Sequence, residues 1–303
     1  MAYIRKKFFL DKKIKAYKFL INEFDISMSQ AQKWIDKKRV YTNGDILKIK
    51  NLDIKGEIEV IFFEPQSSDL KPIFERDDFA VFDKPSGILV HPNKLSQDYS
   101  LNDDIKSLFG YDANVVHRID RETSGLVLVS KNKISEVNLK KLFEEREISK
   151  EYIALVDGKL DKNLTINAKL KANLPHSLIR IKSHVCEDGL TAITKIVPLK
   201  YIANQNLTII KAIPETGRTH QIRAHLFHVK HRIIGDPIYG LNELDVDRFL
   251  KGYMENKERQ KLSGASRLLL HANSLSFRYD GKEYNIKSKM NFEELCNEYS
   301  DCR

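Results

Sequence analysis

The sequence HRIDRETSG holds one acid between two arginines. Asp120 stands between Arg118 and Arg121, and the Thr-Ser-Gly that follows leads into an apolar run with Val127 and Val129. The alternating valines indicate a strand, so the charged cluster lies at the mouth of a core strand. A surface ion pair needs no such setting, and a buried one is costly. We therefore expect Asp120 to be a functional carboxylate.

Five further segments place charged residues next to aromatic, glycine or apolar ones. They are SKEY (149–152), ETGRTHQIRAHL (215–226), DKPSGILVHP (83–92), GDPIYG (235–240) and RLLLHA (267–272). No G-x-G-x-x-G or Walker A pattern occurs, and TSGLV lacks the surroundings of a G-x-S-x-G nucleophile elbow. We therefore predict neither a nucleotide cofactor nor a serine hydrolase, and we expect no cofactor of any kind.

Four histidines lie close together and raise the question of a metal: His220, His225, His228 and His231. The same stretch contains four cations and no acid: Arg218, Arg223, Lys230 and Arg232. Positive charges repel a divalent ion, and no H-E-x-x-H pattern is present. We predict that these histidines face the substrate or serve the structure, and that the protein has no metal site.

The elements that must position these residues are mostly strands. FAVFDKPSGILVHP predicts a strand, a turn and a strand, and SKEYIALVDGKL, LTAITKIVPLKYI and NLTIIKAI predict further strands. Helical spacing occurs at 101–109, at 134–146 and in THQIRAHLFHV, whose apolar face would be Ile222, Leu226 and Val229. Strands often follow one another without a crossover helix. We predict an α+β catalytic domain around a largely antiparallel or mixed sheet.

Positive charge is concentrated near the start of the chain. Of the net +9, residues 1–63 carry 14 Lys and Arg against 8 Asp and Glu, a net +6. The other 240 residues hold 37 against 34, a net +3. This distribution indicates a small module for a polyanion attached to a nearly balanced body. A solubilising charged surface is the alternative that charge alone leaves open.

The basic segment also has a readable order of elements. A helix is predicted over roughly 13–22, and Ser27 with Gln30 forms a capping-box pattern before a second helix with Ala31, Trp34 and Ile35 on one face. An Asn-Gly turn and a late KGEIEV strand follow. The segment resembles the S4 RNA-binding domain. That resemblance implies RNA contacts from four basic residues: Lys33, Lys37, Lys38 and Arg39.

A proline-bounded polar stretch, PQSSDLKP, reads as a linker. The predicted organisation is therefore an S4-like domain over 1–63, a linker over 64–73 and a catalytic domain over 74–303.

Taken together and in order, the six motifs of the body resemble the RluA family of pseudouridine synthases. The resemblance implies the pseudouridine synthase fold and the isomerisation of uridine, in which the N1–C1′ bond breaks and the base is rejoined through C5. It implies that Asp120 is the catalytic aspartate and that the base is flipped out of its helix. It also implies that Tyr152 packs on the uracil and helps to remove the C5 proton.

A desolvated nucleophilic aspartate needs a nearby cation. By resemblance Arg218 in TGRTHQIR is that cation. Arg118 is expected to fill the gap left by the flipped base, and Arg223 is expected to contact RNA. Glu122 reads as a turn residue. Because an N-terminal S4 domain accompanies large-subunit ribosomal RNA members, that RNA is the expected substrate, with transfer RNA as the alternative.

Two other classes remain open on the residues alone. A non-catalytic RNA-binding or ribosome-assembly protein would keep the basic module but has no reason to keep Asp120, Tyr152 and Arg218 together. A nucleoside or glycan hydrolase needs a second acid or a metal, which the motifs do not supply.

Composition and the cysteines bear on the expected cellular compartment. No stretch approaches the ~18 apolar residues of a membrane span. The start of the chain is basic and interrupted by Asp11, so no signal peptide is predicted. Cys186, Cys296 and Cys302 form no C-x-x-C pair. We expect a cytoplasmic monomer with RNA as its partner and no membrane association.

Overall fold

The computed structural model describes residues 3–92, 98–172, 179–294 and 296. The chain divides into two compact units. Unit 1 comprises Met1–Leu70 with His91–Asn114, and unit 2 comprises Lys71–Val90 with Val115–Arg303. The sequence prediction differs from this division, because it assigned 91–114 to an uninterrupted catalytic domain. Cys302 lies outside the described residues.

Unit 1 packs helices against a small antiparallel sheet. Its elements are β1 (Tyr3–Lys15), α1 (Ala16–Phe24), α2 (Met28–Asp36), β2 (Val40–Thr42), β3 (Asp45–Ile46), β4 (Asp53–Phe63) and, after a stretch in unit 2, α3 (Leu101–Phe109). The strand order is β1-β4-β2-β3. The predicted cap of α2 is confirmed, since the Ser27 hydroxyl accepts a hydrogen bond from the Gln30 amide. Ala31, Trp34 and Ile35 are buried, as their spacing predicts.

Strand β1 is the main element of unit 1 that the sequence analysis missed. It pairs with β4 along most of its length, with an irregularity between Leu10 and Ile14. Its lysines and its one arginine hid the apolar alternation expected of a strand, although Lys7 and Lys15 each meet a carboxylate on β4. The first helix consequently begins at Ala16, three residues later than predicted.

Unit 2 is built on one large mixed sheet. Its elements are β5 (Phe74–Glu75), β6 (Phe79–Lys84), β7 (Asn114–Val115, at the junction), β8 (Ser124–Ser130), α4 (Lys133–Glu144), β9 (Ser149–Asp157), β10 (Leu164–Asn167), β11 (Leu170–Ala172), β12 (Ser183–Val185), β13 (Ile193–Ile202), β14 (Leu207–Pro214), α5 (Gln221–His228), α6 (Glu243–Leu250), α7 (Asn256–Ser263), β15 (Leu270–Tyr279) and β16 (Lys282–Lys287). The sheet order is β10-β13-β14-β9-β15-β8-β6-β5, with β16 beside β15.

The predicted α+β class with a largely antiparallel or mixed sheet is confirmed. Among the pairings along this sheet order, only β15 with β8 is parallel. Helix α5 packs Ile222 and Leu226 into the core formed with β9 and β14, with Val229 partly buried against it, as its spacing predicts. Helices α6 and α7 were not predicted, because few of their residues are buried.

Within the described part of the chain, no helix combines the length and the apolar character needed to cross a membrane.

Candidate active site

A cleft of about 980 Å³ opens in unit 2 and gathers the three charged motifs of the sequence. It is lined by residues 116–120, at and just before the start of HRIDRETSG, by residues between 143 and 152 from the SKEY region, and by residues 213–223, in and just before ETGRTHQIRAHL. These segments are far apart in the chain. Their convergence is what the ordered motifs predicted.

Asp120 lies in the turn that leads into β8, with its side chain 26% exposed. The turn is held close to the sheet because Gly125 has φ +110°, and a Cβ there would lie 2.3 Å from the Ala272 carbonyl oxygen. Only glycine tolerates this approach. Asp120 Oδ2 accepts a hydrogen bond from Arg223 Nη1 at 3.1 Å. His220 Nε2 lies 3.9 Å from the same oxygen.

Arg223 is the buried cation of the site. Its side chain is 1% exposed, and its other edge makes a two-bond fork to Asp236, with Nε and Nη2 each 2.8 Å from a carboxylate oxygen. The backbone amides of Ile238 and Tyr239 also donate to Asp236. Burial alone would raise the pKa of Asp236, but the Arg223 guanidinium holds that pKa below its usual value. One guanidinium therefore links two carboxylates, one buried and one facing the cleft.

This arrangement corrects two sequence predictions. Arg218 was expected to be the cation beside Asp120, but it is exposed and its Nε donates to the Thr191 carbonyl oxygen at 3.1 Å. Arg223 was expected to contact RNA, but its side chain is 1% exposed and its hydrogen bonds go to Asp236 and Asp120. The two arginines are five residues apart in one motif, and α5 begins between them. Arg223 follows the buried Ile222 on that helix, which is the signal that could have distinguished them.

Tyr152 lies on β9, opposite Ala272 of β15 and Ala212 of β14. It lines the cleft and packs against the core that contains Ile222 and Leu270. Burial raises the pKa of its phenol, and the negative charge of Asp120 raises it further. Tyr152 therefore remains protonated through the neutral range and presents an aromatic surface near Asp120.

The rim of the cleft carries more cations than acids, with Glu144 and Glu215 also in the lining. Arg118 lines it and is exposed, and Arg146, Lys150 and Arg218 lie along the same rim. Burial lowers the pKa of Lys150, whose Nζ lies 5.7 Å from the Phe143 ring centre. Cations around an opening of this kind attract a polyanion to it.

Two histidines of the site are neutral, and neither has the surroundings of a metal ligand. Burial lowers the pKa of His220 to about 4, with the Arg223 charge acting in the same direction. His117 Nε2 accepts the Leu128 amide at 3.0 Å, and burial lowers its pKa to about 3. In the described ranges, no group of three or more His, Cys, Asp or Glu side chains is arranged to hold a metal ion.

The predicted basic residues of unit 1 form a separate surface. Helix α2 buries its apolar face and leaves Lys33 exposed, and Lys37 and Lys38, directly after its end, are exposed as well. Over the residues that the structure covers, none of these three lysines has a carboxylate within ion-pair distance. Arg39 differs, because its Nη2 donates to the Tyr3 hydroxyl and its guanidinium lies 4.6 Å from the Tyr3 ring centre. The Arg39 side chain is therefore partly occupied by contacts within unit 1.

Comparison with solved structures identifies the fold. The human protein RNA pseudouridylate synthase domain containing 1 matches over 78% of this chain and 97% of its own length, with a TM-score of 0.58 and 23% identity. The human protein RNA pseudouridylate synthase domain containing 4 gives the same TM-score at 21% identity. The catalytic unit therefore has a pseudouridylate synthase fold.

Sequence comparison identifies the family. The family model described as RNA pseudouridylate synthase matches residues 78–228. An uncharacterized RNA pseudouridine synthase of Helicobacter pylori is 38% identical over 292 residues, which is 96% of this chain and 97% of the relative. The ribosomal large subunit pseudouridine synthase D of Escherichia coli is 31% identical over 233 residues, covering 71% and 69%. The chain belongs to the RNA pseudouridylate synthase family, and the predicted class of enzyme, an RNA uridine isomerase, is confirmed.

Proposed function

We propose that this enzyme converts specific uridines of large-subunit ribosomal RNA to pseudouridine, with Asp120 as its nucleophile. The observation that carries this proposal is a partly exposed carboxylate at the cleft, held from behind by the buried cation Arg223. The relatives named ribosomal large subunit pseudouridine synthase D support the choice of RNA.

The reaction rearranges one nucleotide without net gain or loss of atoms. The N1–C1′ bond breaks, the uracil turns, and a C5–C1′ bond forms as the C5 proton is lost and N1 is protonated. Cleavage develops positive charge on the sugar, which an ionised carboxylate can attack or stabilise. Both contacts of Asp120 use Oδ2. Oδ1, which has no hydrogen-bond partner among the described residues, is the oxygen presented to C1′.

Two cleft residues suit the handling of a flipped base. The Tyr152 ring offers an aromatic plane for the uracil beside Asp120. Arg118 is exposed two residues before Asp120, where its planar guanidinium can stack in the emptied position of the helix and contact phosphate. In this scheme Arg218 serves the rim as a phosphate contact, and Arg223 acts only through Asp120.

Unit 1 serves RNA binding in this proposal. Its helix pair, short hairpin and exposed lysines have the features of an S4 domain. Lysines without acidic partners can release counterions from RNA phosphates, which makes binding dependent on salt. Arg39, already held by Tyr3, contributes less than Lys33, Lys37 and Lys38.

We also propose that the enzyme works as a cytoplasmic monomer. The free thiol of Cys186 agrees with a reducing compartment. Size-exclusion chromatography with light scattering tests the monomer, and fractionation of cells tests the compartment.

The proposed reaction is tested on transcripts of large-subunit ribosomal RNA and of transfer RNA labelled with tritium at uridine C5. We expect tritium release and chromatographic appearance of pseudouridine with the ribosomal transcript. Asp120→Asn should reduce turnover by at least about 10³-fold, since it removes the nucleophile. Asp161→Asn is the matched control, because Asp161 is an exposed acid that does not line the cleft.

Each alternative has a distinct result. Wild-type turnover in Asp120→Asn would exclude the nucleophile. Release of free uracil would indicate a hydrolase, and binding without any chemical change would indicate a non-catalytic RNA-binding protein. Modification of transfer RNA alone would make transfer RNA the proposed substrate.

A further inference from the structure

A second buried ion pair lies behind the cleft and is separate from its lining. Arg259 Nη2, on α7, lies 2.7 Å from Glu122 Oε2, and the two side chains are 9% and 10% exposed. The same nitrogen donates to the Gly235 carbonyl oxygen at 3.1 Å. Neither Arg259 nor Glu122 lines the cleft. A charge pair at this depth is costly to bury, which calls for a reason.

Both contacts of Arg259 lead to the pair at the centre of the site. Glu122 is two residues after Asp120 in the same turn. Gly235 immediately precedes Asp236, which holds Arg223 by two hydrogen bonds. One guanidinium thus joins the segment that carries the proposed nucleophile to the segment that orients its cation.

The two segments are fixed where Arg259 meets them. The Ser86 hydroxyl donates to the Glu122 carbonyl oxygen at 2.5 Å, so the backbone of that turn is held from the opposite side. Gly235 has φ +76°, and a Cβ there would lie 1.7 Å from the Arg267 carbonyl oxygen. Neither segment can shift alone without breaking a contact.

We propose that Arg259 and Glu122 are a positioning pair that sets the geometry between Asp120 and Arg223. This inference rests on the proposed role of Asp120. The pair does not touch the nucleotide, and it acts by holding two loops at a fixed separation. An arginine suits this task because its planar group carries several donors in fixed directions, whereas a lysine offers a single flexible ammonium.

The test separates catalysis from binding and from folding. Arg259→Lys, Arg259→Gln, Glu122→Gln and the double variant Glu122→Gln/Arg259→Gln are compared with wild type for kcat, KM and thermal midpoint. We expect kcat to fall about 10- to 100-fold in Arg259→Gln, because small displacements of reacting groups cost that much. KM should change less than about twofold, since neither residue meets RNA.

The variants Arg259→Lys and Glu122→Gln keep the proposal testable if Arg259→Gln unfolds. Arg259→Lys keeps the charge and should recover only part of kcat. The double variant should be no slower than the slower single variant, because both substitutions break one unit. Arg248→Gln is the matched control, since it breaks the exposed Arg248–Glu258 pair beside the same helix. It should leave kcat unchanged.

Three results would overturn the positioning role. The first is wild-type kcat in folded Arg259→Gln and Glu122→Gln. The second is a rise in KM at unchanged kcat, which would make Arg259 an RNA contact. The third is additive losses in the double variant. Failure of the wild-type enzyme to form pseudouridine would instead contradict the proposed function, so the two failures are distinguishable.

Discussion

Arg223 and Asp120, 103 residues apart in sequence, meet through one 3.1 Å hydrogen bond between Nη1 and Oδ2. The rest of the Arg223 guanidinium is occupied by Asp236. Because Asp236 is buried, water cannot replace Arg223 as its partner. The cation is therefore held in place whether or not RNA is bound, and Asp120 meets its partner in a preorganised position.

Replacing Arg223 with methionine should destabilise unit 2 by about 3–5 kcal/mol, because Asp236 would remain buried without its cation. Urea unfolding followed by circular dichroism, without the use of tryptophan fluorescence, measures this loss. Arg218→Met is the control, since Arg218 is exposed and should change stability by less than about 0.5 kcal/mol. Equal destabilisation by the two variants would contradict the assignment of Arg223 as the buried cation.

Tyr152→Phe should retain turnover within about tenfold of wild type. The raised pKa of the phenol makes a phenolate rare at neutral pH. The aromatic ring, and not an ionised hydroxyl, is therefore expected to account for most of the contribution of Tyr152 to turnover. Tyr152→Leu keeps an apolar side chain without the aromatic plane and should lose more. Steady-state assays on the ribosomal transcript measure both. A loss above about 100-fold in Tyr152→Phe would assign proton transfer to the hydroxyl.

Stability should fall as the pH is lowered from 6.5 toward 4. His117 and His271 have folded-state pKa values lowered to about 3 and about 4 by burial, below the ordinary 6.5. The unfolded chain therefore binds protons in this interval before the folded protein does. Each histidine then costs up to about 1.4 kcal/mol per pH unit, while above pH 6.5 its stabilising contribution is fully present.

Thermal midpoints measured from pH 7.5 to 4.5 test this dependence. His117→Gln, which can still accept the Leu128 amide, should flatten the decline. His231→Gln is the comparison, because His231 lies outside the cleft and already hydrogen-bonds the Asp157 carbonyl oxygen. An identical pH profile in wild type and His117→Gln would contradict the neutral buried histidine.

Charge removal on α2 and directly after it should weaken RNA binding without affecting chemistry. The triple variant Lys33→Gln/Lys37→Gln/Lys38→Gln is expected to lower the slope of log Kd against log salt by up to about 2–3, as each phosphate contact contributes about 0.7–0.9. Filter binding at several salt concentrations measures this slope. Lys7→Gln is the control, because Lys7 already pairs with Glu57. Saturating RNA should restore the triple variant to wild-type kcat.

Local patterns predicted elements well where residues act on near neighbours. The Ser27 cap and the apolar face of α5 depend on residues within one or two helical turns, and both were found from spacing. Strand β8 was found from the alternating Val127 and Val129. The mixed sheet was expected for a similar reason, since its strands follow one another with few helices between them.

Partners that meet only in three dimensions were harder to find. Arg218 and Arg223 share one motif, and choosing between them required knowing which side of α5 meets Asp236. Glu122 was predicted to be a turn residue, and it lies in the turn before β8. Its buried ion pair with Arg259 has no signal in the neighbouring sequence. These contacts depend on how distant segments pack, which periodicity does not encode.

Unit 1 is assembled from two stretches of chain, and this affects the order of folding during synthesis. Trp34 of α2 packs edge-on against Tyr111, whose hydroxyl donates to the Phe63 carbonyl oxygen. Residues 1–70 leave the ribosome first and contain every buried member of this core, so Tyr111 adds to its edge later. Strand β6, made in between, waits for its partner β8. The apolar residues of β6 therefore stay without their neighbouring strand until about 130 residues have been made.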